Sequence, residues 1–482
     1  MLAVLAAALA LSAPPQQDWS ATLQGDARAF HDLVAANHPG PVDPLNPGFS
    51  ALNDDGLRQA IDRAGTVTDY AGYRAAMRGY AARFDDSHLN YSEVDGPPVP
   101  RLWAGFLTAY DPSGRYVVAT RSPDAPVHEG DVLVECDGQP ADAIALSRLG
   151  RFTGRWLLQA TRGRTAWRLF VEDGNPFIER PETCVFETAG GRAAVALTWR
   201  DFPADEFDRY AEPLASPQTP PIAARAFPDG TRWFSFSSFD GTPDGYVARR
   251  ITPLIDSLRT DREALSGAPR IVLDLRGNGG GSSLWSRQIA QALWGRAAVE
   301  KATLSSDGVE WRASPGNVET FVGFRTKFAA APPHIRTYVE QVIAGISSAR
   351  AAGLPLWREP KGLLPDEPAP PSAAAVDDGP QLRTPVYVVT DWTCASACLD
   401  AVDLWRALGA IQVGQDTDAD TLYIEARRDL LPSGLGQAVV PMKVYRGRPR
   451  GSNQPWRPVH PFPGDISDTP ALEAWIAGLE RP

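Results

Sequence analysis

Apolar positions recur at helical steps near the start of the chain. Ala27, Phe30, Leu33 and Val34 stand three or four residues apart, and so do Tyr73, Met77, Tyr80 and Ala81. That spacing puts each set on one face of a helix. The Pro- and Gly-rich stretch from His38 to Phe49 separates the two patterns. An N-terminal helical segment over 18–98 is therefore predicted. From 99 to 202 the pattern becomes short alternating runs between Gly, Asp and Pro turns, which predicts a β-rich module. From 203 to 482, strands and amphipathic helices take turns, the mark of α/β architecture.

Within this last region, Thr231–Phe239 reads as a strand and Tyr246–Thr260 as a helix. Arg270–Leu275 is a near-continuous apolar strand, followed by a glycine-rich loop and a helix carrying Trp285, Ile289, Ala292 and Leu293. Pro385–Thr390 reads as a second buried strand. After it comes a helix with Ala401, Leu404 and Leu408 on one face, ended by Gly409, and then the strand Ala410–Gly414. The stretch 296–384 reads as an insertion. It has a helical pattern near 333–352 and a Pro/Ala/Asp-rich loop from Glu359 to Pro380.

Composition narrows the function. The chain has 482 residues, 43% apolar and 22% charged, with a net charge of −11. Such an acidic balance argues against nucleic acid or an anionic membrane as partner. The apolar run Met1–Ala13 is too short to span a membrane, which takes roughly 20 residues. It has the length of a signal-peptide core, with Ala13 as cleavage position, so 1–17 is expected to direct export to the periplasm or medium. The first basic side chain is Arg28, so the charged n-region of such a signal is missing. An exported protein can hold disulfides. Locality would pair Cys136 with Cys184 and Cys394 with Cys398, the alternative being four buried free thiols.

Three short stretches could carry chemistry. Asp274-Leu-Arg-Gly-Asn-Gly-Gly-Gly281 lies between a strand and a helix, where clustered N–H groups can hold an anion or a developing oxyanion. It lacks the Lys-Ser/Thr of a phosphate loop and does not match a dinucleotide fingerprint, so no nucleotide is expected. Asp274 and Arg276 are expected to form a structural pair. Asp391-Trp-Thr-Cys-Ala-Ser-Ala-Cys398 also bridges strand and helix, so Ser396 would project from the sheet edge. A serine there is commonly an N-cap. Phe84-Asp-Asp-Ser-His88 closes the helical segment, and His88 is one of six histidines. No metal-ligating motif and no cofactor site is found.

The segment Gly130–Leu146 (GDVLVECDGQPADAIAL) resembles a PDZ module, a fold that captures peptide ends by strand addition. Taken in order, the Phe84–His88 motif, this module, the Asp274–Gly281 motif and the Asp391–Cys398 motif resemble the S41 serine peptidases over residues 25–475. That family includes tail-specific and tricorn-type enzymes. The resemblance implies a crotonase/ClpP-like α/β catalytic domain, Ser396 as nucleophile, and an oxyanion site from Ala397 with Gly279 or Gly280. It also implies a peptide or protein-tail substrate.

The base is where this chain departs from the tail-specific branch. That branch uses a lysine downstream of the serine, at a place held here by Thr421, and no lysine lies between Ser396 and Lys443. The Ser87-His88 pair instead resembles the tricorn-type branch, which implies His88 as base. Asn453 is the candidate for the slot that orients the imidazole; Asp86 is a second orienter and His460 an alternative base. Two other readings stay open: an S41-like protein that binds a ligand without cleaving it, and a crotonase-like acyl-CoA enzyme.

Overall fold

The computed structural model describes residues 17–215, 219–302, 308–361, 363, 382–448 and 450–480. The apolar run Met1–Ala13, expected to be a signal-peptide core, and most of the Glu359–Pro380 stretch lie outside them. No helix among the described residues is long and apolar enough to cross a membrane.

A six-stranded sheet forms the centre. Its spatial order is Ala223–Ala226, Arg232–Ser235, Ile271–Asp274, Val386–Thr390, Ile411–Gly414 and His460–Pro461. The first pair is antiparallel and the rest are parallel. The apolar runs in the sequence reflect cover on both faces. Ile271, Leu273, Val386 and Val388 pack with the helices Tyr246–Thr260, Ser283–Trp294 and Ala397–Ala407. Val272, Tyr387 and Val389 turn the other way, onto the helix Thr469–Ala477.

A second, antiparallel sheet is built on the long strand Gly436–Arg446. It pairs with Asn90–Glu93, Gly308–Arg312 and Tyr423–Leu430, and Leu356–Arg358 adds to the edge. The helices Trp19–Asn37, Phe49–Ala64 and Tyr70–Ala82 pack against this sheet through Phe30, Tyr73 and Tyr80, with Leu431, Ala438 and Val440 opposite. Chain ends far apart in sequence therefore share one core. The stretch read as an insertion is woven into the same sheet, and its helix Pro333–Ala351 packs through Val342 and Ile346 around Trp311.

The third unit is the β-rich module, with strands Phe106–Tyr110, Tyr116–Arg121, Val132–Cys136, Thr183–Thr188 and Gly191–Ala196. Asp137 and Gly138 both have positive φ, 48° and 75°, and form the tight hairpin turn that Asp-Gly favours. Cys136 and Cys184 face one another across two strands and are bonded; Cys394 and Cys398 are bonded as well. The thiols are thus paired as locality suggested.

The Cys136–Cys184 bond closes a loop with a sequence separation of 48. Replacing both cysteines by alanine should cost up to about 4 kcal/mol, on the chain-entropy view of loop closure. Urea unfolding of the double variant beside the oxidised wild type measures this; unchanged stability would show that the strands hold their register without the bond.

Candidate active site

Two loops leave neighbouring parallel strands at one level. Ile271–Asp274 and Val386–Thr390 pair with Asp274 opposite Val389. The glycine loop and the 391–396 turn therefore emerge side by side at the carboxyl edge of the sheet, where open α/β sheets bind ligands. Asp391 ties them together. One of its oxygens accepts from the Gly277 N–H at 2.9 Å, and the other from the Thr393 N–H at 2.9 Å and from the Thr393 hydroxyl. Burial raises Asp391 above the usual carboxylate range, against the pull of those donors. Behind the loop, Arg276 and Asp274 form the buried pair expected, at 2.8 Å.

Ser396 stands at the start of the helix Ala397–Ala407 with φ 55° and ψ −123°. A residue other than glycine held in such a region costs of order 1–3 kcal/mol and persists only where its surroundings impose it. The position is that of an N-cap, yet the hydroxyl makes no capping bond. Capping therefore does not explain this serine. The Cys394–Cys398 bond spans the turn on either side of it.

Gly280 backs the serine. A Cβ there would sit 2.7 Å from the Ser396 Cβ and 2.9 Å from the Ala397 nitrogen, so any side chain would displace the turn. The Gly280 N–H already donates to Asn278 Oδ1 at 2.9 Å. The N–H groups of Gly279 and Ala397 find no acceptor among the described residues.

His88 comes from the second sheet, just before the strand Asn90–Glu93. Asp86 Oδ1 accepts from the His88 N–H at 2.8 Å and lies 4.0 Å from Nδ1, while Ser87 Oγ is 3.5 Å from Nδ1. Asp86 is buried, and its Oδ2 accepts from the Thr421 hydroxyl at 2.9 Å. Burial raises Asp86 above its ordinary range, opposed chiefly by His88. Asp420 is raised in the same way, again with His88 as the leading opposing charge.

The segment 415–421 joins the two halves. It leaves the central sheet after Gly414 and runs to the second sheet at Tyr423. The Gln415 N–H donates to Thr390 O at 2.9 Å, and the Asp418 N–H donates to Cys394 O at 3.0 Å. The Asp418 carboxylate accepts from Arg155 at 2.9 Å and from Arg164 at 2.7 Å. Arg164 also donates to Trp392 O at 3.0 Å, and the backbone N–H of Arg155 donates to Asp85 Oδ1 at 2.5 Å. One buried carboxylate thus links the serine turn, the histidine turn and the β-rich module.

Among the other expected residues, Asn453 braces the histidine turn from behind. Its Nδ2 donates to Asp85 O at 2.7 Å and its N–H to Asp420 O at 2.8 Å, leaving Oδ1 buried with no donor among the described residues. His460 is exposed and pairs with Val413 at the sheet edge. Lys443 lies over the Trp311 ring and against Glu425. Burial works against its charge, but Glu425 beside it outweighs this and raises it above the usual lysine range. The arginine clamp on Asp418 was not legible beforehand. Its one sequence signal was the alternating run Asp416, Asp418, Asp420 just after a buried strand.

No protein-family model matches this sequence, and no curated protein matches it either. Solved structures do. Mature CPAF superposes with a TM-score of 0.59 at 13% identity, covering 95% of this chain and 96% of its own. Mature CPAF complexed with lactacystin gives 0.57 at 13% identity, covering 95% and 97%. The photosystem II D1 C-terminal processing protease gives 0.36 at 14% identity, covering 94% and 96%. The chain shares the CPAF fold along nearly the whole of both chains.

Burial alone would raise Asp418, but Arg155 and Arg164 outweigh it and hold the carboxyl below its usual range. Its stabilising effect is therefore complete above an ordinary aspartate value of about 3.9 and is lost as pH falls through the lower folded value. Asp418→Asn should cost about 3–5 kcal/mol at neutral pH by stranding two guanidiniums. The gap to wild type should close below about pH 4. Melting temperature against pH tests this; a gap unchanged down to the acid limit would contradict it.

Proposed function

We propose that this chain is a serine peptidase of the S41 type, cleaving peptides or protein tails through an acyl-enzyme on Ser396. The observation that carries the reading is the serine itself, uncapped and held at positive φ against a glycine that leaves no room for a side chain. The central sheet with its helices then serves as a crotonase-like catalytic domain, and the module over 99–202 as a PDZ-like domain that presents the chain to be cut. The two disulfides suit an oxidising compartment outside the cytoplasm.

The chemistry follows from the atoms. Neutral His88 takes the Ser396 proton as Oγ attacks the scissile carbonyl carbon. The oxyanion receives N–H bonds from Ala397 and Gly279, since Gly280 spends its own on Asn278. His88 then gives the proton to the leaving amine as the C–N bond breaks. Water, activated by the same imidazole, attacks the ester and frees Ser396. Asn453 can orient but cannot offset the imidazolium charge; Asp86 and Asp420 lie near enough to His88 for an imidazolium there to favour their carboxylate forms against the effect of burial. An acyl-CoA reading has no comparable need for an uncapped, strained serine.

A fluorophosphonate probe should label the wild type and fail on Ser396→Ala. His88→Ala should lower kcat/KM on a peptide substrate by about 10²–10⁴, the usual worth of a general base. Gly280→Ala should lose labelling while far-UV circular dichroism stays native. Undiminished activity in His88→Ala would overturn the choice of base, and labelling of Ser396→Ala the choice of nucleophile.

A further inference from the structure

Cys394 and Cys398 stand two residues to either side of Ser396 and are bonded to one another, with a Cα–Cα distance of 5.3 Å. The bond closes a short ring whose middle residue is the proposed nucleophile. Both cysteines are fully buried and pack with Ala397 and Ala401 in the core of the central sheet and its helices. Ser396 between them is half-buried.

The turn needs such a tie. Ser396 has φ 55°, a region that a serine leaves unless its surroundings impose it. A capping side chain usually fixes the first turn of a helix, but the Ser396 hydroxyl makes no capping bond. That turn is held instead by the sulfur–sulfur bond and by the backbone. The Leu399 N–H donates to Ser396 O at 2.8 Å, and the Cys398 N–H to Ala395 O at 3.0 Å. Reduction removes the tie and also adds volume, since two thiols must stand at van der Waals separation where a covalent bond held them. A close-packed core cannot take that change without a shift of the backbone. Cys398 is anchored in the helix Ala397–Ala407, so the shift falls on Cys394 and the residues between. A Cβ on Gly280 would lie 2.7 Å from both Ala395 O and the Ser396 Cβ, so the glycine loop feels the same movement.

The other bond, Cys136–Cys184, joins two strands that already pair in register, and it stands in the separate core of the β-rich module. We propose that the Cys394–Cys398 pair puts the nucleophile under redox control: with these thiols reduced the chain folds but is inactive, and oxidation completes the site. The loosened turn of the reduced chain leaves Cys394 open to the oxidant. The two thiols give up two electrons and two protons as the sulfur–sulfur bond forms; a disulfide such as glutathione disulfide takes them up and leaves as two thiols. Once made, the bond is buried beyond the reach of reductants, so the control acts on the newly made chain and is not a reversible switch. A compartment that keeps thiols reduced holds the peptidase latent, and an oxidising one activates it. This control rests on the peptidase reading of Ser396.

The test compares the full chain prepared reduced under dithiothreitol with the same chain after oxidation by glutathione disulfide. Far-UV circular dichroism checks the fold, thiol alkylation with peptide mapping shows which cysteines are free, and a fluorophosphonate probe reports on Ser396. The reduced chain should keep a native spectrum yet label at least about tenfold slower than the oxidised one, because its strained backbone is no longer imposed. Labelling should return as the thiols of Cys394 and Cys398 disappear, and dithiothreitol added afterwards should not reverse it. Cys394→Ala/Cys398→Ala keeps the bond in the β-rich module and so separates the site from the fold. It should label at least about tenfold slower than oxidised wild type in either redox state. Equal labelling of reduced and oxidised wild type, or labelling of Cys394→Ala/Cys398→Ala at the oxidised wild-type rate, would overturn the proposal. Absence of labelling in both states of the wild type would instead sink the peptidase reading beneath it.

Discussion

The Asp418 carboxylate is the constraint on which the site depends. The Ser396 turn belongs to a mostly parallel sheet and the His88 turn to an antiparallel one, and each sheet has its own core. Nothing in either core fixes the distance between the two turns. Arg155 and Arg164 meet on Asp418 while also holding Asp85 and Trp392 O, so three separate folding units converge on one buried charge. Such a pair adds little net stability over an apolar contact of the same shape. What it supplies is position, because removing either partner strands the other.

Around that clamp, the local backbone is set by steric exclusion. Gly280 and Ser396 approach so closely that a methyl group would part them. The strain at Ser396 is held by the Asp391 bonds, the Cys394–Cys398 bond and the helix that follows.

Much of this was legible in the sequence, for physical reasons. Strands covered on both faces read as unbroken apolar runs, so Ile271–Asp274 and Val386–Thr390 stood out. Glycines and small residues between strand and helix marked both loops. Long-range assembly was not legible. Period and turn chemistry are local, whereas the pairing of Asn90–Glu93 with Gly436–Arg446 and the packing of Gly308–Arg312 into the same sheet depend on chain closure over hundreds of residues. The 296–384 stretch therefore read as an insertion although it completes a sheet. Arg155 and Arg164 looked like two among many arginines, because an ion pair formed across 254 or 263 positions leaves no periodic trace.

The central claim is that the clamp delivers His88 to a serine whose oxyanion is held by Gly279 and Ala397. A crystal structure of the fluorophosphonate adduct tests it most directly. The account predicts phosphorus on Ser396 Oγ, a phosphonyl oxygen within about 3.1 Å of the Gly279 and Ala397 nitrogens, and a His88 nitrogen within about 3.2 Å of Oγ. An adduct on another side chain, or a His88 ring turned away from Ser396 with the Asp418 clamp intact, would contradict it.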